Sequence, residues 1–195
     1  MRLLITGGGT GGHIYPALAV LEQLLGDGRW KVERAHVGWV GAGDSLEERL
    51  VAREEVVFYP VSAGALRGQS PLAGLLNLVR LARGAWQSLG VIREHRPKAI
   101  LATGGYVSAP LMLAAAMARC PSLVYLPDVE PGLTIRFLSL LATKVAVSFP
   151  SVAKHFPRRK TVVSGYPVRA ELYTAPLESD SVAVDLDAEF PTGLV

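Results

Sequence analysis

Short apolar runs recur along the 195-residue chain, each closed by glycine or a polar turn, and most are followed by a segment with apolar positions at helical spacing. The first, Leu3-Leu4-Ile5, leads into Thr6-Gly7-Gly8-Gly9-Thr10-Gly11-Gly12-His13, and Pro16 then stands where a first helical residue is expected, ahead of Ala17-Leu18-Ala19-Val20. Further strands are expected over residues 32–38, 56–59, 98–102, 122–125, 144–148 and 161–164. Helices are expected over 15–25, from a cap at Asp44 to about 53, and over 71–93, 111–119 and 133–142, with a short turn at 149–151. This alternation predicts an α/β fold, a Rossmann-like parallel sheet with helices on both faces and ligands at the carboxyl ends of its strands.

A strand that runs through glycines into a helix makes an anion site. The glycines let the backbone approach a ligand closely, and the free N–H groups at the helix start point at negative charge. Gly8, Gly9, Thr10, Gly11 and Gly12 form that expected cradle, with His13 at its mouth as a side chain suited to proton transfer near neutral pH. The alternatives are a purely structural turn and, for His13, a helix cap or a packing residue. Gly7-x-Gly9-x-x-Gly12 also satisfies the dinucleotide-binding pattern, but the expected end of the second strand, His36-Val37-Gly38, carries no ribose-binding acid, and Asp44 comes too late. No Gly-Lys-Ser/Thr follows the glycines, so a P-loop is excluded.

The pattern returns at Thr103-Gly104-Gly105-Tyr106-Val107-Ser108-Ala109-Pro110, which supplies a second cradle from Gly104, Gly105, Tyr106 and Ser108 on the same edge of the sheet. Two cradles imply two phosphates. Tyr106 either lines the cleft or packs at a strand end. The loop Leu126-Pro127-Asp128-Val129-Glu130 brings Asp128 and Glu130 to the same edge. In the expected 71–93 helix, Leu75, Leu76, Val79 and Trp86 stand beside Arg80 and Arg83. One face must cover the sheet, and the apolar excess either touches a membrane interface or is buried between neighbouring helices.

Composition sharpens this picture in a few places. Half of the residues are hydrophobic and 19% are charged, which fits a folded chain rather than a disordered one. The single cysteine, Cys120, cannot close an intrachain disulfide, so a reducing compartment is expected. No signal peptide precedes the first strand and no apolar run reaches the roughly 18 residues of a membrane span, so a soluble or peripheral protein is expected. All 20 Lys and Arg lie at or before Arg169, against 11 of the 17 acids, which gives residues 1–169 a net charge of +9 and leaves an acidic tail. Such a body suits phosphates or an anionic membrane surface. Aromatics are not interleaved with the basic residues, which argues against nucleic acid. The four His and one Cys are scattered, so neither a metal nor another cofactor is expected.

Gly8-Gly9-Thr10-Gly11-Gly12-His13 with Pro16-Ala17-Leu18-Ala19, Ala65-Leu66-Arg67-Gly68, Gly104-Gly105-Tyr106-Val107-Ser108-Ala109-Pro110, Pro131-Gly132-Leu133-Thr134, Val145-Ala146-Val147-Ser148-Phe149 and Gly165-Tyr166-Pro167-Val168-Arg169 occur in the order found in a known family. Over residues 1–173 the chain resembles the N-terminal half of the MurG glycosyltransferases, which have the GT-B fold. The resemblance implies an acceptor-binding domain over 1–173 and a tail or linker over 174–195. It also implies a reaction in which N-acetylglucosamine passes, with inversion, from UDP-N-acetylglucosamine to lipid I, the undecaprenyl-diphosphate-linked muramyl peptide, giving lipid II. By the same resemblance the two glycine loops cradle the acceptor diphosphate, and Thr10, His13 and Tyr106 match acceptor-site residues. Arg169 is a further substrate contact, and the apolar patch with its basic neighbours docks on the cytoplasmic face of the membrane. His13 is the first candidate for the base that deprotonates the attacking hydroxyl, and Asp128 the second.

Two motifs depart from the family: its His-Glu-Gln-Asn is here Tyr125-Leu126-Pro127-Asp128, and its Gly-Asn-Pro-Val-Arg is Gly165-Tyr166-Pro167-Val168-Arg169. The family's donor half has no counterpart in these residues, so UDP-N-acetylglucosamine is expected to bind only where a donor domain, on a partner chain for instance, supplies the site. The rival readings are a non-catalytic membrane-docking subunit of a split glycosyltransferase and a dinucleotide-binding oxidoreductase domain.

Overall fold

The computed structural model describes residues 1–26, 28, 31–64 and 71–168. Seven strands form one sheet in the order β3-β2-β1-β4-β5-β6-β7: β1 (Leu3–Thr6), β2 (Val37–Gly41), β3 (Val57–Pro60), β4 (Ala99–Ala102), β5 (Ser122–Leu126), β6 (Lys144–Val147) and β7 (Thr161–Val163). Every pairing is parallel, with Leu3 beside both Val37 and Ala99. Chain order runs outward from β1 in one direction to β3 and in the other from β4 to β7. The reversal between β1 and β4 is the switch point at which such sheets open a crevice for ligands.

Alternate residues of the strands face opposite layers. Leu3, Ile5 and Trp39 pack under α1 (Gly11–Gly26) and α2 (Leu46–Ala52) through Ile14, Leu18, Leu21 and Val51. Leu4, Val40, Ile100, Val124 and Val145 form the other layer with α3 (Pro71–His95), α4 (Ser108–Met117), α5 (Leu133–Leu141) and α6 (Pro150–Ala153). The expected fold class and the alternation of elements hold. Among the described residues no helix is long and apolar enough to cross a membrane.

Several boundaries differ from the expectation, each for a physical reason. Helix α1 starts at Gly11, so Pro16 lies inside it and the loop is four residues shorter. Gly12, whose carbonyl loses the bond that a residue other than proline would donate, is exposed, and water can reach it. Strand β2 begins at Val37 after a 3-10 turn over Arg34–His36 and runs past the expected end at Gly38 to include Gly41, which looks like a loop residue. A Cβ at Gly38 would meet the Tyr59 ring at 2.7 Å and Leu4 at 2.9 Å, so tertiary crowding selects glycine there. Likewise α4 starts at Ser108, before Pro110, and the turn at 149–151 is the start of the single-turn α6.

The cap of α2 is Ser45 rather than Asp44. Its hydroxyl accepts the Glu48 amide at 3.2 Å, while Asp44 adopts φ +54° and its amide donates to the Glu48 carboxylate at 2.7 Å. This reciprocal arrangement satisfies two donors at the helix entrance. Ser45→Ala is expected to cost about 1 kcal/mol in urea denaturation.

Candidate functional site

Because β1 and β4 are neighbours, the loops that follow them lie side by side at the carboxyl edge. They are locked to each other through the backbone. The Gly8 amide donates to the Gly104 carbonyl at 3.4 Å and the Thr103 amide to Thr6 at 3.0 Å. A Cβ at Gly105 would run into the Gly8 carbonyl, and Gly105 also has φ +78°, so both space and conformation require glycine there.

Side chains brace this junction. Thr103 Oγ1 donates to the His13 carbonyl at 2.6 Å, tying the first turn of α1 to the end of β4. Ser108 Oγ donates to the Gly104 carbonyl at 2.6 Å and receives the Thr6 hydroxyl at 3.5 Å. Ser108 is fully buried, and its hydroxyl shapes the second loop from beneath. Tyr106 is 38% exposed and its ring stands 3.7 Å from where a Cβ at Gly9 would be, so it lies at the surface beside the first loop and not in the core.

His13 sits in the first turn of α1, half-buried. A Cβ at Gly104 would come within 2.9 Å of its ring, and Nδ1 is enclosed there without a hydrogen-bond partner. It caps nothing: the Thr10 carbonyl accepts the first bonds of α1, from the amides of His13 at 3.1 Å and Ile14 at 3.3 Å. Gly9, Thr10 and Gly12 are exposed above this turn. The amides of Gly11 and Gly12 have no acceptor inside the helix, as geometry dictates for a first turn.

Asp128 is exposed in the loop after β5, and its charge bears on Tyr125. The Tyr125 hydroxyl lies 2.6 Å from Ser148 Oγ and donates to the Gly165 carbonyl at 3.4 Å. Burial pushes the pKa of that phenol above its ordinary value, the Ser148 bond opposes the shift, and Tyr166 and Asp128 add smaller upward pushes. Tyr125, Asp128 and Tyr166, three of the departures from the family motifs, therefore gather at one place, at the end of β5, one strand from the second glycine loop and two from the first. Beside them an apolar cavity of about 200 Å³ is lined by Val20, Leu101, Leu123, Ala146 and Pro167. No hydrogen bond among the described residues links Asp128 to His13. Arg169, Arg67 and the 174–195 tail lie outside the described residues.

Sequence reading missed Glu47. It occupies the first turn of α2, where an acid ordinarily faces solvent near the helix dipole. Here it is 1% exposed, and Trp39 Nε1 donates to its Oε1 at 2.6 Å. The side chain fills the space that a Cβ at Gly8 or Gly41 would need, so the carboxyl lies directly under the first glycine loop. Burial pushes this carboxyl from its ordinary 4.5 up to about 7, against the Trp39 bond and the nearby Gly7 and Ala42 amides, which favour the anion. The available signal was the combination of glycines at 8 and 41 with a tryptophan at 39, readable only once β1, β2 and α2 are brought together.

Helix α3 is unusual in what it turns outward. Leu75, Leu76, Leu78, Val79 and Trp86 are exposed, whereas Asn77, Leu81, Ala85, Ser88 and Leu89 face the core. Gly84, on the buried face, lets this helix approach Ser62 and Pro110, the latter in the first turn of α4, so α3 packs against the helix that follows the second glycine loop. Arg80 and Arg83 are exposed on the same stretch.

The family model for the glycosyltransferase family 28 N-terminal domain matches residues 3–147. A protein of Roseiflexus sp. (strain RS-1) named UDP-N-acetylglucosamine--N-acetylmuramyl-(pentapeptide) pyrophosphoryl-undecaprenol N-acetylglucosamine transferase is 38% identical, over 100% of this chain and 52% of its own length. Its namesake from Desulforudis audaxviator (strain MP104C) is 41% identical over 88% of this chain and 45% of its own. The crystal structure of Acinetobacter baumannii MurG superposes with a TM-score of 0.68 at 25% identity, over 87% of this chain and 46% of that one. The chain thus spans about half the length of the curated relatives it matches.

Two outcomes follow from the site's geometry. Gly105→Ala is expected to lose about 2 kcal/mol or more, from the positive φ and the collision with Gly8, while Gly132→Ala, which would meet no neighbour, changes little in the same denaturation assay. A carboxyl with a raised value in the fold contributes stability that is complete below 4.5 and is lost as pH rises to about 7. Glu47→Gln should therefore match the wild type near pH 4.5 and exceed it by about 3 kcal/mol at pH 8; parallel pH profiles for the two proteins would contradict this.

Proposed function

Because the chain belongs to the glycosyltransferase family 28 N-terminal domain family, we propose that it is the acceptor-binding half of an enzyme that passes N-acetylglucosamine from its UDP donor to a diphosphate-linked muramyl peptide on an undecaprenol carrier. The observation that carries this reading is the junction of the two glycine loops at the switch point of the sheet. The N-termini of α1 and α4 open there side by side, a fit for two linked phosphates. The relatives are named as transferases that use UDP-N-acetylglucosamine and an N-acetylmuramyl-(pentapeptide) pyrophosphoryl-undecaprenol, which supports this choice of donor and acceptor.

In the transfer, the acceptor sugar's hydroxyl oxygen forms a bond to the anomeric carbon as the bond from that carbon to the UDP oxygen breaks, with inversion, and the hydroxyl proton must go to a base. His13 is placed for that role in our reading: it borders the cradle, and with Nδ1 enclosed, Nε2 is the nitrogen left to take the proton. Asp128, grouped instead with Tyr125 and Tyr166, is better suited to contact the peptide or sugar than to serve as base. Tyr106 and Thr10, both exposed at the cradle, supply hydroxyls to the acceptor. The donor needs contacts from a second domain, and half of the transition-state interactions come from it.

The exposed face of α3 supports docking on an anionic membrane, on the cytoplasmic side where the UDP-sugar is found, with the cradle held near the lipid-linked diphosphate. A monotopic association of this kind combines apolar insertion by Leu75, Leu76, Val79 and Trp86 with attraction by Arg80 and Arg83.

Calorimetric titration tests the assignment. The chain is expected to bind a soluble diphosphate-linked muramyl peptide and not UDP-N-acetylglucosamine, and His13→Ala to weaken acceptor binding; donor binding without acceptor binding would overturn it. For the membrane face, Leu76→Glu with Val79→Glu is expected to abolish sedimentation with phosphatidylglycerol vesicles and leave acceptor affinity intact, since neither side chain supports the loops.

A further inference from the structure

Glu47 is a costly residue to bury. An isolated carboxyl in an apolar layer destabilises a fold unless it is paired or protonated, and an apolar side chain of similar size would fill the same space more cheaply. Trp39 donates to Oε1 at 2.6 Å and the Gly7 and Ala42 amides lie close to the carboxyl, but Oε2 is enclosed with no partner at hydrogen-bond geometry. That unpartnered oxygen lies against the underside of Gly8, in the space a side chain there would fill. Gly8 is itself buried over the carboxyl, whereas the residues that lead from it into α1, Gly9 and Thr10, and Gly12 in the first turn are exposed.

An anion seated in that turn and a carboxylate beneath it would be like charges separated by one thickness of peptide, largely out of water, where repulsion is strong. A neutral carboxyl removes the repulsion and keeps the shape and the Trp39 bond that hold Gly8 in place. We infer that Glu47 is the positioning residue of the first glycine loop and that it carries a proton whenever a diphosphate occupies the loop, so that acceptor binding takes up a proton. This rests on the acceptor reading above.

The other titratable or charged side chains on the elements packed around it are His13 and Tyr15 on α1, Asp44 in the turn before α2, Glu48 and Arg49 on α2, and Tyr59 on β3. Glu48 is engaged by the Asp44 amide and Tyr59 stands edge-on to His95, so His13 is the group whose protonation would mimic the effect.

The test is calorimetry of the wild type and Glu47→Gln at pH 7 in buffers of different ionisation enthalpy, with a diphosphate diester probe, the soluble diphosphate-linked muramyl peptide, whose own phosphates do not titrate in this range. The wild type is expected to take up about half a proton per probe bound, and its affinity to fall about tenfold from pH 6 to pH 8. Glu47→Gln, which keeps the acceptor for Trp39, is expected to bind with no uptake and a flat profile. Uptake undiminished in Glu47→Gln points to His13 and overturns the inference, as does binding by the wild type without uptake; in either case the acceptor reading stands. No binding of the probe by the wild type removes both. A second readout needs no variant: the Glu47 carboxyl carbon, followed by NMR, is expected to titrate at higher pH in the presence of saturating probe, and an unmoved midpoint overturns the inference.

Discussion

The carboxyl edge of this molecule depends on one contact, the approach of two backbone loops with no side chain between them. Gly8 and Gly105 meet where β1 and β4 end, and the Gly8 amide reaches the Gly104 carbonyl. That approach is possible only because chain order reverses between these two strands, so that both loops emerge as neighbours while their helices leave toward opposite layers. The brace from Thr103 to His13 and the Thr6–Ser108–Gly104 chain are consequences of the same closeness. So is the burial of Glu47, whose carboxyl occupies volume that ordinary residues at 8 and 41 would claim.

The rest of the domain serves to present this edge. Helix α3 buries Asn77 and Ser88 and exposes leucines, the reverse of what water selects, and a surface of that kind marks an interaction site rather than a stabilising feature. Its nearness to the start of α4 links the proposed membrane contact to the proposed diphosphate seat, since a lipid-linked substrate must be held where its carrier enters the bilayer.

The alternation of strand and helix was legible because each strand is a short apolar run ended by turn residues, and the two glycine loops stood out because nothing else in the chain repeats that composition. Pro16 misled because a proline commonly opens a helix, whereas here exposed Gly12 tolerates the missing bond. Gly41 misled because its role is to make room for Glu47, a neighbour that reaches it only in the folded sheet. Ser108 carried the motif's polarity but spends its hydroxyl on Gly104. Glu47 was invisible for the opposite reason: an acid in a first helical turn has an ordinary explanation, and only tertiary packing shows that it turns inward beneath Gly8.

The most direct measurement of the central claim, that the two loops form a single anion seat, is the amide NMR spectrum of the chain during titration with a soluble diphosphate-linked muramyl peptide. The account predicts that the amides of Gly9 to Gly12 and of Gly105 and Tyr106 shift together, with one dissociation constant, while those beside the Tyr125 cavity respond less. Shifts confined to one loop, or none at either while another surface responds, would contradict it.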